Sequence, residues 1–331
     1  MLVGGFGTRL RPLTATTPKQ MLTIAHRPMI EWVVAALAAH GISDAVLALG
    51  YRPDVFRDAY PDGRCAGVDL HYAAEPVPMN TAGAISFAAR HAGIDERFVV
   101  VNGDVLTNLD ITALVAFHER SGAEGTIALH AVDDPSPYGV VATDPKGRVL
   151  AFVEKPLPGE APSNLINAGT YVFEPSVIER IPIGEPASVE RETFPAMVDE
   201  GTLFALDDGG AYWLDTGTPQ QYLSVQLDVL DGCLGPPPPA IAPSARVAPS
   251  ATVCHAVIGA GAVVDAGALV RDSAVLEDAH VGENARVVDS IVGPRVVVGK
   301  GAEVVDGSVL GDGVVLEPGE RVAGRRIPEP V

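Results

Sequence analysis

Positive charge is scarce in this 331-residue chain. Twenty-three Lys and Arg stand against 42 Asp and Glu, for a formal net charge of −19. Only four residues are lysine: Lys19, Lys146, Lys155 and Lys300. A surface of that sign repels phosphodiester backbones and anionic membranes. This excludes nonspecific nucleic-acid binding and electrostatic membrane docking as main roles, and any phosphate site has to be locally basic. Cysteine is also sparse. Cys65, Cys233 and Cys254 are odd in number and far apart, which argues against a disulfide framework or a cysteine zinc cluster, and Cys254 reads as a small core residue. No run of 18 apolar residues occurs and no basic stretch leads into a long apolar one, so neither a membrane span nor an export leader is expected and the chain reads as cytoplasmic.

What is present is ample apolar material, 47% of residues, and a length that predicts two domains. Over residues 1–232, short Val-rich runs alternate with segments of helical period. That alternation predicts an α/β domain, a doubly wound and mostly parallel sheet with helices on both faces. In Pro28 to His40 the apolar Ile30, Val33, Val34 and Leu37 fall on one helical face, with Gly41 placed to end the helix. Strands are expected at Ala45–Leu49, Phe98–Val101 and Thr126–Val132, and helices at Ile111–Glu119 and Pro219–Leu230. Asp144-Pro145-Lys146-Gly147 reads as the tight turn of an antiparallel hairpin.

Gly235 and Pro236 to Pro239 predict a stiff linker over 233–240. Beyond it, over 241–331, aliphatic residues recur at a six-residue period that slips to five between groups: Ile241, Val247, Val253; Ile258, Val264, Val270, Leu276; Val281, Val287; Val292, Val298, Val304, Leu310, Leu316, Val322. Six fits neither a helix nor one long strand. It fits a triangular coil of short strands with one aliphatic residue per side pointing inward, the slip being taken up at a corner, and fifteen such positions make roughly five coils.

Gly4-Gly5-Phe6-Gly7-Thr8-Arg9-Leu10-Arg11-Pro12-Leu13-Thr14, followed by Pro18-Lys19, is the most informative stretch. Three glycines in four residues permit positive φ and close approach to a bulky anion, and Arg9, Arg11 and Lys19 bring cations to it. It is neither a dinucleotide G-x-G-x-x-G nor a Walker loop. The glycines alone would equally serve an ordinary turn. Phe98 to Val101 leads to Asp104, and Tyr212-Trp213-Leu214 leads to Asp215, two carboxylates at the ends of apolar runs where α/β folds bind ligands. A strand-end Asp alone also serves as a cap. Glu154-Lys155-Pro156 would by itself pass for solvated surface charge.

Together these stretches resemble the signature of sugar-1-phosphate nucleotidyltransferases. Leu165-Ile166-Asn167-Ala168-Gly169-Thr170-Tyr171 and Ser188-Val189-Glu190-Arg191-Glu192-Thr193-Phe194-Pro195 are most similar to the members that act as mannose-1-phosphate guanylyltransferases and carry a hexapeptide-repeat tail. The resemblance implies a Rossmann-like nucleotidyltransferase core followed by a left-handed parallel β-helix. It also implies transfer from GTP to mannose 1-phosphate with Mg2+ as cofactor. In that family Gly4, Gly5, Gly7 and Thr8 would cradle the nucleoside triphosphate, and Arg9 and Lys19 would act on its phosphates. Glu75, Asn80, Thr81 and Gly83 would lie against the base. Glu154, Lys155 and Asn167 would hold the sugar phosphate, and Asp104 and Asp215 would hold the metal. A homo-oligomer is expected, with the repeats as contact surface.

Two departures stand out. Asn80 occupies a position where the family has glycine, and Asn tolerates left-handed backbone well enough for the turn to survive. Only Met1-Leu2-Val3 precede the glycine loop, so either the first central strand is short or the sequence given starts late. Three other readings remain: thymidylyl or uridylyl transfer to glucose 1-phosphate, a non-catalytic regulatory homologue, and acyl transfer by the β-helix with His255 or His280 as base.

Overall fold

The computed structural model describes residues 1–330. Its internal contacts fall into two compact units: Met1–Gly5 with Val33–Trp213, and Phe6–Trp32 with the chain from Leu214 on.

The first unit is built on a mixed sheet. Val68–Ala74 pairs parallel with Asp44–Leu49, Leu2 bridges in parallel to both Ala48 and Asn102, and Phe98–Val101 pairs antiparallel with Leu165–Phe173. Beyond it come Gly125–Ala131, antiparallel, and Leu203–Asp207, parallel to its neighbour. Of these strands only Leu165–Phe173 runs against the others, with Val149–Glu154 and Arg64–Cys65 as further antiparallel strands at the edges, the mostly parallel Rossmann-like arrangement expected. Residues 1–3 lie along the centre of the sheet, with Leu2 N donating to Val101 O at 2.9 Å and Val3 N to Ala48 O at 3.1 Å.

Local chemistry fixes the element ends. The helix Met29–Ala39 is followed by Gly41 at φ 80°. The helix Ile111–Ser121 starts where the Asp110 carboxylate accepts from Ala113 N at 2.9 Å and stops at Gly122, φ 62°, satisfying orphan backbone groups at both termini. Gly139–Thr143 and Val149–Glu154 form the expected antiparallel hairpin, with Asp144 Oδ1 accepting from Lys146 N at 2.8 Å and Arg148 N at 2.9 Å across its turn. Under the sheet, Tyr171, Phe173 and Phe194 pack ring against ring, and all three are buried.

In the second unit, Arg246–Val247, Val263–Val264, His280–Val281, Val297–Val298 and Val315–Leu316 stack in parallel register, one strand per turn of a parallel β-solenoid of about five turns. Alternation along each short strand sends the second residue inward. Val264, Val281, Val298 and Leu316 are almost wholly buried, whereas Val297 and Val315 face out. One corner of the coil is turned by residues of left-handed backbone, His255 (φ 47°), Asp272 (47°), Asp289 (48°) and Asp306 (59°), and the five-residue slips are absorbed at the first three of these. Buried serines line it: Ser273, Ser290 and Ser308 are inaccessible, and Ser273 Oγ accepts from Ser290 N at 3.1 Å.

Three expectations fail, each for a plain reason. Val275, in register with Ile258 and Val292 and packed in the solenoid core, takes the inward place expected of Leu276, because the five-residue slip falls before it and not after it. Ile241 is 38% exposed and Val247 and Val253 are only partly buried, because the first coil has a following coil but no preceding one to cover it. Cys254 is exposed rather than in the core. Its neighbour Val253 takes the inward position, so alternation turns the thiol outward.

The helix Pro219–Leu230, capped by the Thr218 hydroxyl, packs on the solenoid strands Thr252–Ile258 and Leu269–Val275. It also anchors residues 23–25: Gln226 Nε2 donates to Thr23 O at 2.6 Å, Ala25 N donates to Gln226 Oε1 at 2.8 Å, and the Tyr222 hydroxyl donates to the same Thr23 carbonyl.

The stack makes a stability prediction. Val287, inaccessible and in register between Val270 and Val304, loses packing above and below when shortened. Val287→Ala should lower unfolding free energy by about 2 kcal/mol, while Val315→Ala on the 62% exposed position should leave it within about 0.5 kcal/mol. Urea titrations followed by circular dichroism test the contrast, and equal effects would contradict the inward–outward assignment.

Candidate active site

In the second unit the signature loop closes on itself. Gly7 sits at φ 60°, a left-handed conformation that suits glycine, and starts a short 3₁₀ turn over Thr8–Leu10. A Cβ on Gly7 would lie 3.0 Å from Thr14 Cγ2 and 3.2 Å from Lys19 Cβ, so the absence of a side chain lets the loop lie on the Lys19 segment. The Thr14 hydroxyl locks it there, donating to Gly7 O at 2.7 Å. Thr14 was not singled out from sequence; it is a hydroxyl within the signature whose carbonyl partner only the fold reveals.

Lys19 is 5% exposed, and its ammonium donates to Asp215 Oδ1 at 3.4 Å. Arg9 comes to the same place. A Cβ on Gly217 would meet Arg9 Nη2 at 2.8 Å and Asp215 Oδ2 at 3.1 Å, so the guanidinium and the carboxylate both lie against the bare face of Gly217. Thr8 and Arg9 are exposed at the turn. Arg9, Lys19 and Asp215, residues predicted from two separate motifs, are thus brought together in one unit, two cations and one carboxylate. That local excess of positive charge is what a polyanion requires in a chain this acidic.

The first unit holds the other predicted residues in two groups. Gly5 is open to solvent, while Gly4 lies against Glu75: a Cβ there would be 3.1 Å from Glu75 Oε1. Glu75 Oε2 accepts from Met79 N at 3.0 Å. Burial pushes the Glu75 carboxyl above its usual range, with the Met79 amide partly opposing the shift. The helix Asn80–Ala92 follows at once, and Asn80 has φ 55°, the left-handed geometry foreseen for this substitution. The Thr81 hydroxyl donates to Glu190 Oε2 at 2.6 Å and accepts from Val189 N at 2.9 Å. Gly83 is buried, its face against the Glu185 carbonyl. Glu190 is thus a holder of the helix start, a role that its Ser-x-Glu-x-Glu setting did not disclose.

The second group centres on Tyr171. Its hydroxyl accepts from Asn167 Nδ2 at 3.0 Å, and Asn167 Oδ1 accepts from Gly169 N at 3.0 Å, at an irregularity in the pairing of Leu165–Phe173 with Gly125–Ala131. Burial foremost, with Glu190, Glu154 and Asp104 adding like-charge repulsion, raises the Tyr171 phenol well above its ordinary range. Glu154, Asn167 and Asp104 are therefore all within electrostatic reach of one buried phenol. Lys155 leaves the strand Val149–Glu154 at φ 53°, is exposed, and sits 3.4 Å from Glu154 Oε1. A lysine in left-handed backbone costs about 1 kcal/mol or more, and its amide is held by Tyr138 O at 2.9 Å.

Residues 1–232 match the Nucleotidyl transferase family and residues 236–329 the GMPPB C-terminal domain. The chain belongs to the nucleotidyl transferase family. It is 45% identical over 228 residues to a mannose-1-phosphate guanyltransferase of Aspergillus oryzae, an alignment covering 68% of this chain and 62% of that protein. It is 41% identical over 243 residues to the mannose-1-phosphate guanylyltransferase of Mycobacterium tuberculosis, covering 73% and 66%. Among solved structures it resembles HddC from Yersinia pseudotuberculosis complexed with GMP-PN, at a TM-score of 0.59 and 28% identity over 69% of this chain and 96% of that one. The chain thus spans a little under two thirds of the length of these curated relatives. Among the described residues, no helix is long and apolar enough to cross a membrane.

The backbone at Asn80 gives a direct test. Asn80→Gly should hold stability within about 0.5 kcal/mol, whereas Asn80→Val should lower it by about 1–2 kcal/mol, because a β-branched residue resists positive φ. Equilibrium denaturation of both variants reads the difference; equal stabilities would refute the left-handed assignment.

Proposed function

We propose that the chain transfers the guanylyl group of GTP to mannose 1-phosphate, yielding GDP-mannose and pyrophosphate. The observation that carries this reading is the convergence of Arg9, Lys19 and Asp215 on one loop, and the names of the relatives supply the substrates. A phosphate oxygen of mannose 1-phosphate attacks the α-phosphorus of GTP, a bond forms to it, and pyrophosphate leaves with the bond electrons. No protein nucleophile is needed. Catalysis is positioning and charge neutralisation. Gly4, Gly5, Gly7 and Thr8 take the triphosphate, Arg9 and Lys19 neutralise it, Glu75 and the Asn80–Gly83 segment face the base, and Glu154, Lys155 and Asn167 hold the sugar phosphate.

Nucleotidyl transfer of this kind generally uses a divalent metal. Among the described residues, no group of three or more His, Cys, Asp or Glu side chains is arranged to hold an ion. Two carboxylates, with water and substrate phosphates completing the shell, are what a hard ion such as Mg2+ accepts. Asp104 and Asp215 would be its two protein ligands, and when bound it supplies charge neutralisation on the phosphates. We place the reaction in the cytoplasm and expect a homo-oligomer.

The deciding experiment measures initial rates with GTP, UTP, dTTP and ATP against mannose and glucose 1-phosphates in the presence of Mg2+. Guanine offers an N1–H and an amine to acceptors such as Glu75. A site paired to both would disfavour a pyrimidine by at least about tenfold in kcat/KM. Preference for UTP or dTTP would replace the guanylyl assignment. Asp104→Asn and Asp215→Asn should each cut turnover by orders of magnitude, and near-wild-type rates in either would remove it from the metal site.

Lys19 and Lys155 should separate kinetically. Lys19→Ala should lower kcat, since it acts on reacting phosphates; Lys155→Ala should mainly raise KM for mannose 1-phosphate. Steady-state kinetics with each substrate varied in turn will show whether the two signatures differ as stated, and unchanged constants in both variants would contradict the phosphate roles.

A further inference from the structure

The floor of the signature loop comes from the far end of the sequence. Arg326, in the outermost described strand of the solenoid, donates from Nη1 to Arg9 O at 3.0 Å and to Arg11 O at 3.4 Å. The backbone bonds of the loop's own turns go to other carbonyls: Leu10 N to Gly7 O, Arg11 N to Thr8 O, Leu13 N to Leu10 O, and Ala15 N to Pro12 O. The guanidinium therefore reaches the two carbonyls that these turns skip, flanking Leu10, which is wholly buried. A second contact braces the same spot. A Cβ on Gly311 would lie 2.8 Å from Pro12 Cβ, and Gly311 N donates to Ile327 O at 2.7 Å, so two successive coils form a wall on which the loop rests.

We propose that Arg326 is a positioning residue for triphosphate binding. It holds the Arg9 and Arg11 carbonyls so that the Arg9 guanidinium stays against Gly217 beside Asp215. Charge-assisted bonds to the carbonyls on either side of Leu10 fix both the height and the tilt of the peptide planes between them, which a single neutral contact cannot do. The proposal rests on the nucleotidyl-transfer reading in that it assigns Arg9 to the triphosphate. It goes beyond that reading by making the solenoid a working part of the nucleotide site.

The test uses the full chain and three variants, Arg326→Ala, Arg326→Lys and Gly311→Ala. With Mg2+, GTP and mannose 1-phosphate, Arg326→Ala should raise KM for GTP by about tenfold, the loss of one charge-assisted contact. KM for mannose 1-phosphate and the melting midpoint should stay at wild-type values. Arg326→Lys, which keeps a cationic donor, should recover most of the loss. Gly311→Ala, which wedges a methyl against Pro12 without touching charge, should raise KM for GTP as well. KM for GTP within twofold of wild type in Arg326→Ala would overturn the proposal, as would a general fall in kcat that follows a lower melting midpoint. Hydrogen exchange over residues 6–14 gives a readout independent of turnover: faster exchange confined to that segment in Arg326→Ala supports the proposal, and unchanged exchange overturns it. If the wild type turns over none of the nucleotide and sugar-phosphate pairs, the function reading fails, and the exchange measurement alone decides whether Arg326 holds the loop.

Discussion

Lys19 and Asp215 stand 196 residues apart in sequence and 3.4 Å apart in space, and the rest of the second unit is arranged to make that approach possible. Lys19 is only 5% exposed, and burying a charged group is costly unless it is paired and hydrogen-bonded. The pair therefore requires a packed frame. Gly7 supplies the bend, the Thr14 hydroxyl closes the loop, and Gln226 and Tyr222 fasten residues 23–25 to the helix behind it. Arg9, leaning on Gly217, then adds a second cation to a place where the protein has already accommodated one.

This resolves the tension set by composition. With 42 acidic residues against 23 basic ones, the chain cannot attract a polyanion by its overall field, and screening removes most of what its distant charges do. It can do so only over a few ångströms. The first unit follows the same economy of placement. Lys155 is held in left-handed backbone beside Glu154, and Asn167 is fixed by the Tyr171 hydroxyl, so the polar groups stand at set positions before any ligand arrives. Preorganisation of this kind is how positioning accelerates a reaction that needs no covalent help.

Patterns short enough to be periodic were legible in the sequence. The hexapeptide spacing gave the coils, except at Leu276, where neighbouring Val275 takes the inward place, and at the first coil, where Ile241 lacks a covering neighbour; periodicity reports roughly which residue points inward, not whether anything waits there. The helix Pro219–Leu230 and the hairpin around Asp144 were readable because caps and turns act over four residues. Asn80 was readable because its side chain makes left-handed backbone affordable. What stayed hidden was every partner chosen by tertiary structure: Thr14 for Gly7, Glu190 for Thr81, Arg326 for the Arg9 and Arg11 carbonyls. No local rule joins residues 6–32 to the chain beyond 214, since their association depends on packing between segments with no shared period.

That association has a temporal side. During synthesis the loop is made near the beginning, yet its contacts with Arg326 span 315 and 317 residues. Contacts so distant in sequence are the slowest to form, because the intervening chain must be ordered first. Domains made early can fold as they emerge, and the sheet of the first unit has all its strands by residue 207. The signature loop cannot. It must wait, unsupported, for the coils around residues 311–327, so the acquisition of a fold and the completion of the loop that we propose takes the triphosphate are separate events in the life of the newly made chain.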